Sequence, residues 1–165
     1  MALALVMISF IHNIKEVIMN TLQGTDANHI SDIIQVMNSG IDFYQKAQEN
    51  IKDPAIGALF QRMIDARRVS VERLQPYAIN EQGEREEGSS FAVEARRAYT
   101  ALLTTFGSNN DSTYVSELEE VEDKTLAEIK EAMDKPQPAD CEAALAATLL
   151  TMQSCHAEMS RMQKS

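Results

Sequence analysis

The sequence predicts an all-α bundle, on three observations. Apolar residues recur at three- and four-residue spacing through most of the chain, the period of one face of a helix. Turn signals are scarce: 165 residues hold six Gly and four Pro, too few to punctuate a chain of short strands. Residues that favour helix (Ala, Leu, Met, Glu and Gln) are plentiful. The length suits one domain with one core, and 44% hydrophobic against 24% charged residues is globular rather than disordered composition. A formal net charge of -10 disfavours non-specific binding to nucleic acid or to an anionic membrane surface.

Residues 1–24 read as an N-terminal amphipathic helix, an extension to the main domain. Phe10, Ile14, Val17 and Ile18 share one face and need a partner surface, either the rest of the chain or a second subunit. The apolar run is interrupted at His12, Asn13, Lys15 and Glu16, well short of the roughly 20 apolar residues of a membrane span, and has no basic lead-in. Neither a membrane segment nor a secretion signal is expected.

The main domain is expected over 28–163. Gly24 to Asn28 breaks the chain, with Asn28 or Ser31 as the expected N-cap. Ile30, Ile34, Met37, Ile41, Tyr44, Gln48 and Ile51 then trace a seam that predicts a helix from about His29 to Lys52, with Gly40 and Ala47 forming a flat strip on it. Asp53-Pro54 restarts the chain as N-cap and first helical residue. The second helix is expected to reach about Tyr77, with Ile56, Leu59, Phe60, Met63, Leu74 and Tyr77 inward and Pro76 straining the last turn.

Asn80 to Ser90 reads as a polar loop, and Ser90 to Phe106 as a short helix. Asp111 or Ser112 opens a third long helix to Asp134, with Val115, Leu118, Glu122, Thr125, Ile129 and Met133 in line. After Lys135-Pro136-Gln137-Pro138, a fourth runs from Asp140 to Met162 with Leu145, Leu149, Met152, His156 and Met159 in line. The tight first and third connections make antiparallel pairs, and the long middle one lets the second and third long helices run parallel. That is the up-down-down-up order of a ferritin-like four-helix bundle with a short crossover helix.

Polar residues on inward lines are where chemistry or specificity sits, because burying them unpaired is costly. These are Tyr44, Arg67, Ser70, Glu119, Glu122, Gln153 and His156. Dinuclear iron bundles take a Glu from each of two helices and Glu-x-x-His from each of the other two. Here the corresponding slots read Arg67-x-x-Ser70 and Gln153-x-x-His156, and only Glu119-x-x-Glu122 keeps two carboxylates. A fixed guanidinium repels a metal but forms forked hydrogen bonds with a carboxylate. The expectation is therefore a metal-free core in which Tyr44, Arg67, Glu119, Glu122, Gln153 and His156 satisfy one another. The alternatives are one weakly held iron or manganese on Glu119, Glu122 and His156, or side chains that simply reach solvent.

Cys141 and Cys155, on one helix and about 21 Å apart at the helical rise, are too distant for a disulfide. Free thiols fit a reducing cytoplasm. No phosphate loop, nucleophile elbow or zinc-type Cys/His cluster occurs.

The stretch from Ile30 to Met162 resembles the bacterial family of ferritin-like four-helix bundles called DUF2383. The residues that carry the likeness are Gly40 to Ala47 (GIDFYQKA), Leu59 to Arg62 (LFQR) with Arg67 and Leu74, Glu119-x-x-Glu122-Asp123, and His156. The resemblance implies a ferritin-like bundle and brings no established activity. Ser70, where an aromatic residue is common, and the N-terminal helix depart from the pattern. The combined expectation is a non-enzymatic, cytoplasmic bundle without cofactor, forming homo-oligomers through residues 1–20 and acting as an interaction or stress-associated accessory protein.

Overall fold

The computed structural model describes residues 29–89 and 111–163, which form four helices and, among the described residues, no strand. They are α1 (Ile30–Gln48), α2 (Pro54–Gln82), α3 (Asp111–Met133) and α4 (Ala139–Gln163). The expected helices at 1–24 and 90–106 lie outside the described residues. None of the four helices is long and apolar enough to cross a membrane.

The start of α1 departs from expectation. Its N-cap is His29, in the left-handed region at φ 61°, and no side chain of α1 caps the helix. The cap comes instead from the far end of α2. The Glu81 carboxylate accepts hydrogen bonds from the backbone N–H groups of His29 (3.1 Å), Ile30 (2.9 Å) and Ser31 (3.0 Å), and from the Ser31 hydroxyl (3.3 Å). An anion among the unpaired N–H groups of a first turn also meets the positive end of the helix dipole. Glu81→Ala should therefore lower stability by about 1–2 kcal/mol in urea unfolding, with Glu81→Gln losing less. An unchanged midpoint in Glu81→Ala would mean that the grip contributes nothing.

α1 stops at Gln48, four residues earlier than expected, because the amides of Asn50 and Ile51 both turn back to the Ala47 carbonyl. Asp53 caps α2 as predicted, its Oδ1 accepting from the Ala55 N–H at 2.7 Å. That helix then runs through Pro76, past the expected end at Tyr77, and is closed by Gly83 at φ 89°. Burial of Ala78 and the Glu81 contact hold the extra turn. Between α3 and α4, Gln137 is buried and donates from Nε2 to the Ala132 carbonyl at 2.9 Å, closing the end of α3.

Contacts along the helices fix their pairing. Ile30 meets Glu81 at one end of α1 and α2, and Gln48 Nε2 donates to the Gly57 carbonyl at the other, so the two are antiparallel. Arg62 pairs with Glu158, and Arg73 donates to Thr148, so α2 and α4 are antiparallel as well. Ser160 donates to Glu119 and His156 pairs with Asp123, which sets α3 antiparallel to α4. α1 also packs on α3. One core runs between all four helices, with Ile34, Met37, Phe60, Met63, Leu118, Ile129, Leu145 and Met152 fully buried in it. Met133, expected inward, is largely exposed, and its neighbour Ala132 takes the buried place.

Candidate functional site

At the centre of this core lies a charged cluster contributed by three helices. Arg67 of α2 and Glu122 of α3 are both 0% exposed, and Arg67 Nη1 lies 2.9 Å from Glu122 Oε1. The Tyr44 hydroxyl, from α1, donates to the same Oε1. Thr125, one turn beyond Glu122, accepts from Arg67 Nη2 at 3.1 Å while donating its own proton to the Val121 carbonyl. The sulfur of Met152 on α4 lies 3.8 Å from Arg67 Nη1. The guanidinium also sits 5.2 Å from the centre of the Tyr44 ring, which in turn tilts against Phe60.

Gly40 makes room for this arrangement. A Cβ built there would overlap Arg67 Nε and come within 3.2 Å of both Cδ and Cζ. The absence of a side chain on α1 thus admits a long cation on α2. Two atoms of the cluster, Arg67 Nε and Glu122 Oε2, find no hydrogen-bond partner among the described residues.

The electrostatics keep Arg67 charged and Tyr44 neutral. Burial alone would push the Arg67 pKa down, but the adjacent Glu122 carboxylate reverses this, and the pKa ends above its ordinary value. Burial, reinforced by the Glu122 charge, holds the Tyr44 phenol well above its usual range, so it remains a donor. Cys155 is free and buried, and burial with the Glu122 charge raises its pKa to about 11. Cys141 is raised to about 11, by burial first and then by Asp140. Neither thiol is an activated nucleophile at neutral pH.

The remaining residues singled out by spacing fall elsewhere. Glu119 and His156 form a second group at the α3–α4 seam, partly open to solvent. His156 Nε2 lies 2.9 Å from Asp123 Oδ1 and 3.9 Å from Glu119 Oε1, and Ser160 Oγ donates to Glu119 at 2.6 Å. Gln153 is exposed, so its expected place in the core is corrected. The reason is the set of positions that completes the inner face of α4: Leu145, Met152 and Met159 face the core as expected, joined by Cys141, Thr148 and Cys155, while Leu149, Gln153 and His156 turn toward its edge or away. Ser70 is buried and returns its hydroxyl to the Ala66 carbonyl at 2.9 Å, inside its own helix. Thr125, Met152 and Gly40 belong around Arg67 although spacing alone did not single them out.

This donor set does not fit an iron or manganese centre. Glu122 is engaged by Tyr44 and Arg67, and His156 faces Asp123 and Glu119 instead. No group of three or more His, Cys, Asp or Glu among the described residues is placed to hold a metal ion. A buried guanidinium beside the carboxylate opposes any added cation.

No curated protein and no solved structure matches the chain. A family model does match, over residues 25–135, which takes in α1, α2 and α3 with Tyr44, Arg67 and Glu122 and ends in the turn before α4. The model is described as domain of unknown function DUF2383, it spans well over half of the sequence, and the chain belongs to that family.

Proposed function

We propose that this protein is a non-enzymatic, ferritin-like bundle of up-down-down-up topology in which an internal ion pair stands where metal-binding bundles keep their cations. Three antiparallel pairings, α1 with α2, α2 with α4 and α3 with α4, support that topology, since together they make α2 and α3 parallel. The segment from 83 to 110 is long enough to return the chain along the bundle.

One observation carries the functional reading: a guanidinium with no solvent exposure, salt-bridged to the carboxylate that would otherwise be a ligand. A carboxylate already paired with a buried guanidinium, beside thiols held protonated, offers little to a metal ion or to nucleophilic chemistry among the described residues, which fits an interaction or stress-associated accessory role. The same reading takes the chain as cytoplasmic, consistent with its two free, protonated thiols, and as self-associating through residues 1–20.

Metal analysis tests the core. Protein purified without chelator from cells supplied with iron and manganese should carry neither metal in stoichiometric amount. About one iron or manganese per chain, lost in Glu122→Ala, Glu119→Ala or His156→Ala, would overturn the proposal in favour of a degenerate metal-binding bundle.

A further inference from the structure

The segment Gly83–Ser89, which follows α2, folds back across α1 and α2, and polar contacts pin it there. The Glu86 main chain exchanges two hydrogen bonds with the Gln75 side chain: Gln75 Nε2 donates to the Glu86 carbonyl (2.6 Å) and the Glu86 N–H donates to Gln75 Oε1 (3.0 Å). The Glu86 carboxylate, on a residue only 8% exposed, gathers three donors from different places: Gln35 Nε2 on α1 (2.9 Å), Gln82 Nε2 on α2 (3.4 Å) and the Gly88 N–H in the segment itself (2.7 Å). Asn38 of α1 holds the Gly88 carbonyl at 2.9 Å, and Arg85 pairs with Glu72 at 2.7 Å. Beneath lies a cleft of about 320 Å³ with Ile41 and Val71 in its wall.

We propose that Glu86 is a proton-operated latch: as a carboxylate it clamps 83–89 against α1 and α2, where the segment forms one wall of the cleft, and on protonation it releases the segment and removes that wall. An ionised carboxylate only accepts, and all three partners are donors, so a proton on either oxygen sets donor against donor. The charged groups facing the cleft are Asp42 from α1, Glu72 from α2, and Arg85 and Glu87 from the segment. Arg85 is engaged by Glu72 and does not compete for the Glu86 carboxylate.

The sign follows from the native geometry. The Gln35 hydrogen bond holds the Glu86 pKa below the ordinary 4.5 against the opposing effect of burial, with the Gly88 and Gln82 contacts helping. The clamp is therefore fully present above the unfolded-state pKa and is lost as pH falls through the lower native one. The segment stays docked at neutral pH and is released in acid.

Residue-resolved amide exchange on the full chain from pH 3 to 7, corrected for intrinsic rates, tests the latch. Protection of the Glu86 and Gly88 amides should fall together on acidification, at a midpoint below 4.5, while amides around Leu74 stay protected. In Glu86→Gln the two amides should already be poorly protected at pH 7 and should not titrate. The proposal fails if wild-type protection of these amides is flat across the range, if it is lost only together with that of α2, or if Glu86→Gln keeps the wild-type profile. The wild-type titration decides the matter alone should that variant not fold. The outcome is independent of whether the Arg67 core holds metal.

Discussion

Replacing Arg67 with methionine should cost about 3–5 kcal/mol of stability, read as a large drop in the urea midpoint at neutral pH. The loss arises less from the missing attraction than from what is left behind. Glu122, at 0% exposure, would keep its contact with the Tyr44 hydroxyl but lose the guanidinium paired with it, and an uncompensated buried carboxylate is strongly unfavourable. Glu122→Leu alone should cost a similar amount, since it strands the guanidinium and takes away the acceptor for Tyr44.

The informative measurement is the pair. Arg67→Met with Glu122→Leu should recover most of the loss, because both charges go together and hydrophobic side chains of comparable bulk fill the space. Arg67 Nε and Glu122 Oε2 strengthen this expectation, since the native cluster leaves these two buried polar atoms without a partner among the described residues. A double variant no more stable than the worse single would mean that the cluster stabilises the fold outright rather than specifying one arrangement of it. Singles costing under about 1 kcal/mol would show that the ion pair is not desolvated in solution.

Gly40→Ala should be the second large effect, and its sign runs against helix propensity. At an exposed helical position the change gains up to about 1 kcal/mol. On α1 the new methyl would meet Arg67 Nε, with Cδ and Cζ at 3.2 Å, and the guanidinium cannot step aside without leaving Glu122 and Thr125. A cost of about 1–3 kcal/mol is expected from this overpacking. In the Arg67→Met, Glu122→Leu background the same substitution should become neutral or stabilising, since methionine is flexible and no partner pins it. Chemical denaturation of the four proteins checks both signs. A penalty that persists in the charge-free background would place the crowding somewhere other than Arg67.

The four described helices were legible in the sequence because apolar residues recur at helical spacing along each of them. Asp53-Pro54 and Lys135-Pro136-Gln137-Pro138 mark two of the turns without ambiguity. Spacing also put Tyr44, Arg67 and Glu122 on inward lines, and all three are fully buried. The failures have local causes. Asn28 and Ser31 looked like caps, but a carboxylate fifty residues downstream takes the N–H groups, and no local pattern encodes that. Pro76 was expected to strain a last turn ending near Tyr77, yet tertiary contacts hold the helix to Gln82. On α4 the expected line holds at Leu145, Met152 and Met159, which are fully buried, but Thr148 and Cys155 complete the inner face where sequence alone drew in Gln153 and His156. Thr125 was read only as a seam residue, and Gly40 only as a flat strip, because each takes its meaning from one guanidinium on another helix.

The grip of Glu81 on the start of α1 has a bearing on the order of events during synthesis. A nascent chain leaving the ribosome exposes Ile30 long before Glu81 is made, so the first helix emerges with its opening amides facing only water. It acquires its end group when the whole hairpin, through Gln82, has cleared the exit tunnel. These two helices are thus built to form as one cooperative step, and a pause in translation between Gln48 and Glu81 would prolong the interval in which the first helix frays.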